Sequence, residues 1–158
     1  MENSMNSTQL RTQGPSGVAP LNATKASRIL GILVIVIGIG FFLGGSIGWF
    51  TVKSQLADEQ ITVSDNGESH AGKKVEGPFT AFAQANAVKK DVLEATAGRT
   101  FAQLEMDEPV REMALQGASV RTSLLTSALS FGVSSLAASS GISFVLLGSA
   151  LILRTRRD

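Results

Sequence analysis

This 158-residue chain contains no cysteine and no tyrosine, and it has one histidine and one tryptophan. The absence of cysteine excludes disulfides, thiolate metal sites, a cysteine nucleophile and palmitoylation. With a single histidine, His70, few side chains remain that could exchange protons near neutral pH. Charge is also missing locally, since residues 29–52 and 122–153 contain no Asp, Glu, Lys, Arg or His. These two uncharged stretches carry most of the structural information in the chain.

Both uncharged stretches predict helices that cross a membrane. Each exceeds the roughly 20 apolar residues that a helix needs to span about 30 Å of hydrocarbon. The first predicts a transmembrane helix over residues 29–50, and the second a transmembrane helix over 122–153 with a juxtamembrane extension. Pro109 suits a first helical turn because it lacks an N–H, so we expect the extension to begin there, with Asp107 or Glu108 as its cap.

The segment between the spans, residues 51–121, is predicted to form a small domain. A helical pattern covers about residues 79–97, and Gly98 is placed to end it. Thr100 and Gln103 have the spacing of a capping box. The predicted fold class is therefore mainly α, a two-transmembrane-helix hairpin with a small, mostly helical extracytoplasmic domain.

Basic residues lie at both ends of the chain. Residues 1–28 and residues 154–158 each carry a net charge of +2, whereas the rest of the chain carries −3. The positive-inside rule then predicts a multi-pass protein of the cell membrane with both termini in the cytoplasm. Residues 1–28 are predicted to form a disordered tail there, and residues 154–158 a basic tail. The opposite orientation stays open, because Lys53 and Arg121 also flank the spans. The predicted membrane-boundary anchors are Lys25, Arg28, Trp49, Arg154, Arg156 and Arg157.

Small residues recur at helical spacing in both spans. Gly40, Gly44 and Gly48 fall on one stripe of the first span, where a second helix could approach closely. Their predicted partner is a stripe of serine and alanine on the second span. Contact within one chain and contact between chains both stay open. The predicted helix-packing interface consists of Gly40, Gly44, Gly48, Ser130, Ser134 and Ala138.

No catalytic residue, cofactor site or metal site is predicted, because no nucleophile is paired with a base and no metal-ligand cluster is visible. The sequence predicts a non-enzymatic accessory or interaction subunit at the cell envelope. Its expected partners are the lipid bilayer and another membrane protein or a second copy. The net charge of +1 gives no reason to expect nucleic acid. A small homo-oligomeric channel lined by Ser135, Ser139 and Ser143 is an alternative.

Three segments carry a resemblance to a known family: LADEQITV at residues 56–63, GPFTAFAQA at 77–85 and LEATAGRTFAQL at 93–104. In these segments the chain resembles a family of uncharacterised actinobacterial two-span membrane proteins, commonly labelled "aromatic ring-opening dioxygenase LigA". The label implies an alternative function, a dioxygenase-related activity. Extradiol ring opening uses non-haem iron held by two histidines and one carboxylate, and this chain has one histidine. We therefore interpret the enzymatic label as a misannotation.

Overall fold

The structure is a computed structural model that describes residues 23–154. Over this part of the chain it contains three α-helices, which are α1 (Ala23–Asp58), α2 (Pro78–Ala95) and α3 (Arg111–Arg154). A 3-10 turn over Phe101–Gln103 precedes α3. These residues form no strand, and the loop after α1 makes one isolated antiparallel bridge, between Thr62 and Lys74. The prediction of a mainly α fold is confirmed.

Local sequence explains where α2 begins and ends. Pro78 occupies the first turn, where a missing N–H breaks no helical hydrogen bond. After Ala95 the chain turns through Gly98, whose φ of +82° is a left-handed conformation that glycine adopts without strain. The Gly98 N–H donates to the Leu93 carbonyl at 2.6 Å and closes the end of the helix. The Thr100 N–H donates to Gln103 Oε1 at 2.8 Å, which is half of the predicted capping box.

Helices α1 and α3 run antiparallel and touch main chain to main chain. A Cβ built on Gly38 would lie 2.8 Å from the Gly141 carbonyl oxygen, and one built on Gly31 would lie 3.0 Å from that of Gly148. These distances leave no room for a methyl group. The contacting residues recur every seventh position on both helices, which is the period of a left-handed helix pair. We call this contact the glycine seam; it consists of Gly31, Gly38 and Gly45 on α1 and of Ser134, Gly141 and Gly148 on α3.

Beyond the glycine seam, the residues between α1 and α3 become large. Trp49 packs edge-to-face on Phe131, with ring centroids 4.7 Å apart. Phe131 is fully buried, and Leu56 and Leu124 are also buried nearby. The loop after α1 and the first half of α2 add buried side chains to this cluster. We call this region the head; it comprises the end of α1, the loop after it, α2 and the first half of α3. Its core consists of Leu56, Val63, Val75, Ala81, Ala83, Ala85, Leu124 and Phe131.

Helix α2 packs on α3 through small side chains. Its buried residues are mostly alanines, and farther along the helix Val88 and Val92 contact α3 at Gly117. One buried polar residue, Gln84, accepts a hydrogen bond from the Ser64 N–H at 2.8 Å and so ties the loop to the helix. The small residues allow α2 to lie close to α3.

The glycine seam gives the first testable prediction. Gly38→Ala places a methyl group against the α3 main chain, so we expect the free energy of unfolding to fall by about 1–3 kcal/mol, as in other overpacked contacts. Gly40→Ala is the matched control, because a Cβ at Gly40 meets no atom within 4 Å. Reversible unfolding in mixed micelles measures both. Equal stability of the two variants would contradict the seam.

Candidate functional site

The structure places three of the six residues of the predicted packing interface in the contact between α1 and α3. Gly48 faces Ser134, whose hydroxyl oxygen lies 2.7 Å from a Cβ built on the glycine. The main chain of Ala138 lies against Gly45. Ser130 is half-buried, and its hydroxyl donates to a carbonyl of its own helix at 2.9 Å.

The remaining two glycines, Gly40 and Gly44, lie off this contact. A Cβ built on either one meets no atom within 4 Å, and both residues are exposed. Within the chain, the seven-residue repeat of the glycine seam therefore replaces the predicted four-residue repeat. Gly38 and Gly45 are the α1 glycines that contact α3 on either side of the exposed pair. Contact of Gly40 and Gly44 with a second chain stays a prediction.

The serines proposed to line a pore lie on the outside of α3. Ser135, Ser139 and Ser143 are all exposed. The Ser139 and Ser143 hydroxyls donate to carbonyls of their own helix at 3.0 and 3.1 Å. This is the usual way in which a serine satisfies its hydroxyl within a helix. Such hydroxyls can lie in an apolar environment without a further partner.

The predicted membrane-boundary anchors lie at the ends of the two long helices where the structure describes them. Lys25 and Arg28 are exposed in the first turns of α1, and Arg154 is exposed at the end of α3. Since the helices are antiparallel, all three lie at the same end of the pair. Trp49 lies toward the other end, half-buried on Phe131. Arg156 and Arg157 fall outside the described residues.

An ion pair that the sequence did not predict connects the end of α2 to the beginning of α3. The two terminal guanidinium nitrogens of Arg99 donate to the carboxylate of Glu108, at 2.7 and 2.6 Å. The hydrogen bonds from Arg99, and then the one from the Glu105 N–H, hold the pKa of Glu108 below its ordinary value. Glu108 had been expected as a helix cap, but α3 begins at Arg111. The Glu108 carboxylate instead accepts a hydrogen bond from the Glu105 N–H, in the turn that precedes the helix.

A small cavity opens between α2, the 3-10 turn and α3. Its volume is about 170 Å³, and its lining is mostly apolar, with Lys89 and Arg121 at its polar side. The Arg121 Nε atom is buried there without a hydrogen-bond partner among the described residues. Across residues 23–154 no three His, Asp or Glu side chains come together as a metal site would require.

Comparison with known proteins gave no match: no family model, no curated protein and no solved structure is detectably similar to this chain. The candidate site therefore has to be interpreted from its own geometry. That geometry consists of a tightly packed pair of apolar helices, an outward-facing pair of glycines and a small head at one end.

The exposed glycines give the second prediction. Gly44→Leu adds a large side chain to a face that does not touch α3, so we expect the fold to be retained. If Gly40 and Gly44 contact another helix, association should weaken about five- to tenfold, or roughly 1–1.4 kcal/mol. Crosslinking yield in native membranes measures it. Gly132→Leu is the matched control, because Gly132 is equally open but lies on α3. An unchanged yield for Gly44→Leu would show that the outward stripe is incidental.

Proposed function

We propose that this chain is an integral membrane protein in which α1 and α3 both cross the bilayer. The observation that supports this is a band of exposed apolar side chains on both helices. On α1 the band runs from Ile29 to Phe50, and on α3 from Leu129 to Leu153. The 22 positions of the α1 band rise about 33 Å at 1.5 Å per residue, close to the hydrocarbon thickness of about 30 Å.

The glycine seam brings these two bands into the same layer. Gly45 lies against the carbonyl of Ser134, and the helices are antiparallel. Five residues farther along α1, Phe50 is therefore level with Leu129, five residues back along α3. At the other end Ile29 is level with Ala150. Two apolar bands that coincide in height form one continuous belt around the helix pair, which matches a bilayer.

A soluble alternative requires the same helices to be buried in a core. In each helix, however, only a small share of the most apolar 18-residue window is buried within the chain, 17% on α1 and 11% on α3. Soluble monomers rarely expose apolar patches larger than a few hundred Å². Lipid is the environment in which such a surface is stable without a further protein layer.

The proposed topology has both termini in the cytoplasm and the head outside the cell membrane. Lys25, Arg28 and Arg154 lie at one end of the pair and favour the cytoplasmic side by the positive-inside rule. Trp49 and the head lie toward the opposite end. The Trp49 side chain, half-buried and carrying one N–H donor, suits the headgroup region there.

Within the membrane, we propose a non-enzymatic accessory or interaction subunit. The glycine seam is already filled by the chain itself, whereas Gly40 and Gly44 leave a second close-approach face open on α1. Another membrane protein or a second copy can pack there. The proposal requires no cofactor, because the interaction depends on shape and van der Waals contact alone. An oligomeric channel is the second candidate, supported only by the exposed serines of α3.

Membrane fractionation tests the proposal. We expect the full chain to remain in the membrane pellet at alkaline pH and to be released only by detergent. Protease added to intact cells should cleave the head at exposed sites such as Lys73 and leave the helix pair protected. A chain recovered in the soluble fraction without detergent would contradict the membrane assignment. A head cleaved only after the cells are opened would reverse the topology.

A further inference from the structure

We propose that the start of α2 lies on the lipid surface, with Phe79 and Phe82 inserted into the same leaflet boundary that Trp49 reaches. This inference rests on the proposed membrane location of α1 and α3. It adds a third contact with lipid, made by the head.

The direction of α2 along α3 follows from two groups of contacts. Val92, near the end of α2, contacts Gly117 in the second turn of α3. Ala81 and Ala85, near its beginning, belong to the buried cluster that contains Leu124 and Phe131. Helix α2 therefore runs antiparallel to α3, and its first turn is the end nearest the apolar belt.

The same contacts give the height of Phe79. Both helices rise 1.5 Å per residue. Thirteen residues before Val92, Phe79 lies at about the height of Ser130, thirteen residues after Gly117. The next residue on α3 is Phe131, whose ring touches Trp49 at 4.7 Å between centroids. Phe79 is therefore level with Trp49, at the edge of the belt that ends at Leu129 on α3 and at Phe50 on α1.

The two phenylalanines face away from the protein. Phe79 is 77% exposed and Phe82 is 54% exposed, while the alanines between and after them are buried. Helix α2 thus buries its small residues and exposes its largest ones, the reverse of a soluble amphipathic helix. Helical side chains also lean toward the N-terminus of their helix, which for α2 is the direction of the membrane. A lipid surface accounts for both the exposure and the direction.

The beginning of α2 is suited to a poorly hydrated boundary. Main-chain N–H groups at a helix start usually need water, which becomes scarce near hydrocarbon. Here Pro78 has no N–H, and the N–H groups of Glu76 and Gly77 both donate to Thr80 Oγ1 at 3.2 Å. The donors of Glu76 and Gly77 are therefore bonded within the chain, which leaves the N–H groups of Phe79 and Thr80 for the headgroup region to satisfy.

Depth-dependent quenching tests the proposal. Because the chain has no cysteine, Phe79→Cys provides a single attachment site for the fluorophore NBD. The labelled protein is reconstituted into phosphatidylcholine vesicles that contain doxyl-labelled lipid, which quenches both NBD and the native Trp49. We expect NBD at position 79 to emit at short wavelength and to lose a fraction of its fluorescence comparable to that lost by Trp49.

Met106→Cys carrying the same fluorophore is the matched control. Met106 is 89% exposed and lies before α3, whose first residue, Arg111, is about 30 Å along the helix from Phe131. Its NBD should emit as in water and resist quenching. If NBD at position 79 behaves like NBD at position 106 while Trp49 is quenched, the lipid contact of α2 is refuted and the membrane location stands. If Trp49 itself is unquenched, the proposed function fails.

Discussion

Helices α1 and α3 approach each other main chain to main chain along the glycine seam, and the positions of the other parts follow from that contact. At Gly38 and Gly141 the spacing leaves no room for even a methyl group. In lipid, helices gain little from hiding apolar surface, so close van der Waals contact of this kind becomes a main source of association. On α1 a glycine at every second turn allows this close contact, and on α3 a serine or glycine at the same spacing allows it.

The seam sets both the height of the apolar belt and the place of the head. One slip by a seven-residue repeat would move Phe50 about 10 Å from Leu129, and in the proposed bilayer it would leave apolar side chains outside the hydrocarbon. Where the seam ends, Trp49, Leu56, Leu124 and Phe131 replace the small residues. These large side chains provide the apolar surface on which α2 and the loop before it pack. Small residues in the seam therefore allow α1 and α3 to pair closely, and the large residues beyond it form the surface on which the rest of the head packs.

Features that depend on neighbouring residues could be predicted from the sequence. The uncharged stretches gave the two long helices, and Gly98 and the Thr100–Gln103 pair gave the end of α2 and the turn after it. Features that depend on a partner helix were harder to predict. The four-residue series Gly40, Gly44, Gly48 and the seven-residue series of the seam are both visible in the sequence. Only the position of α3 shows that it contacts the seam glycines and, of the four-residue series, Gly48 alone.

The head also contains features that depend on contacts between distant parts of the chain and so could not be predicted from local sequence. The Arg99–Glu108 ion pair joins residues that lie on two different turns, so no local pattern indicates it. The buried face of α2 was also hidden, because alanines are weak signals of burial beside phenylalanines on the same helix. Phe79 is largely exposed, which reverses the usual expectation that aromatic residues mark the core. The proposed contact with the lipid surface would explain this exposure.

The register of the glycine seam can be measured directly. Spin labels on Phe50→Cys and Leu129→Cys, in the otherwise cysteine-free chain reconstituted in lipid nanodiscs, report the distance between two exposed residues of equal height. The account predicts that this distance is much shorter than the one between Phe50→Cys and Leu146→Cys, since 17 helical residues separate the two α3 sites by about 25 Å. Equal distances, or the reverse order, would contradict the seam and the belt that it aligns.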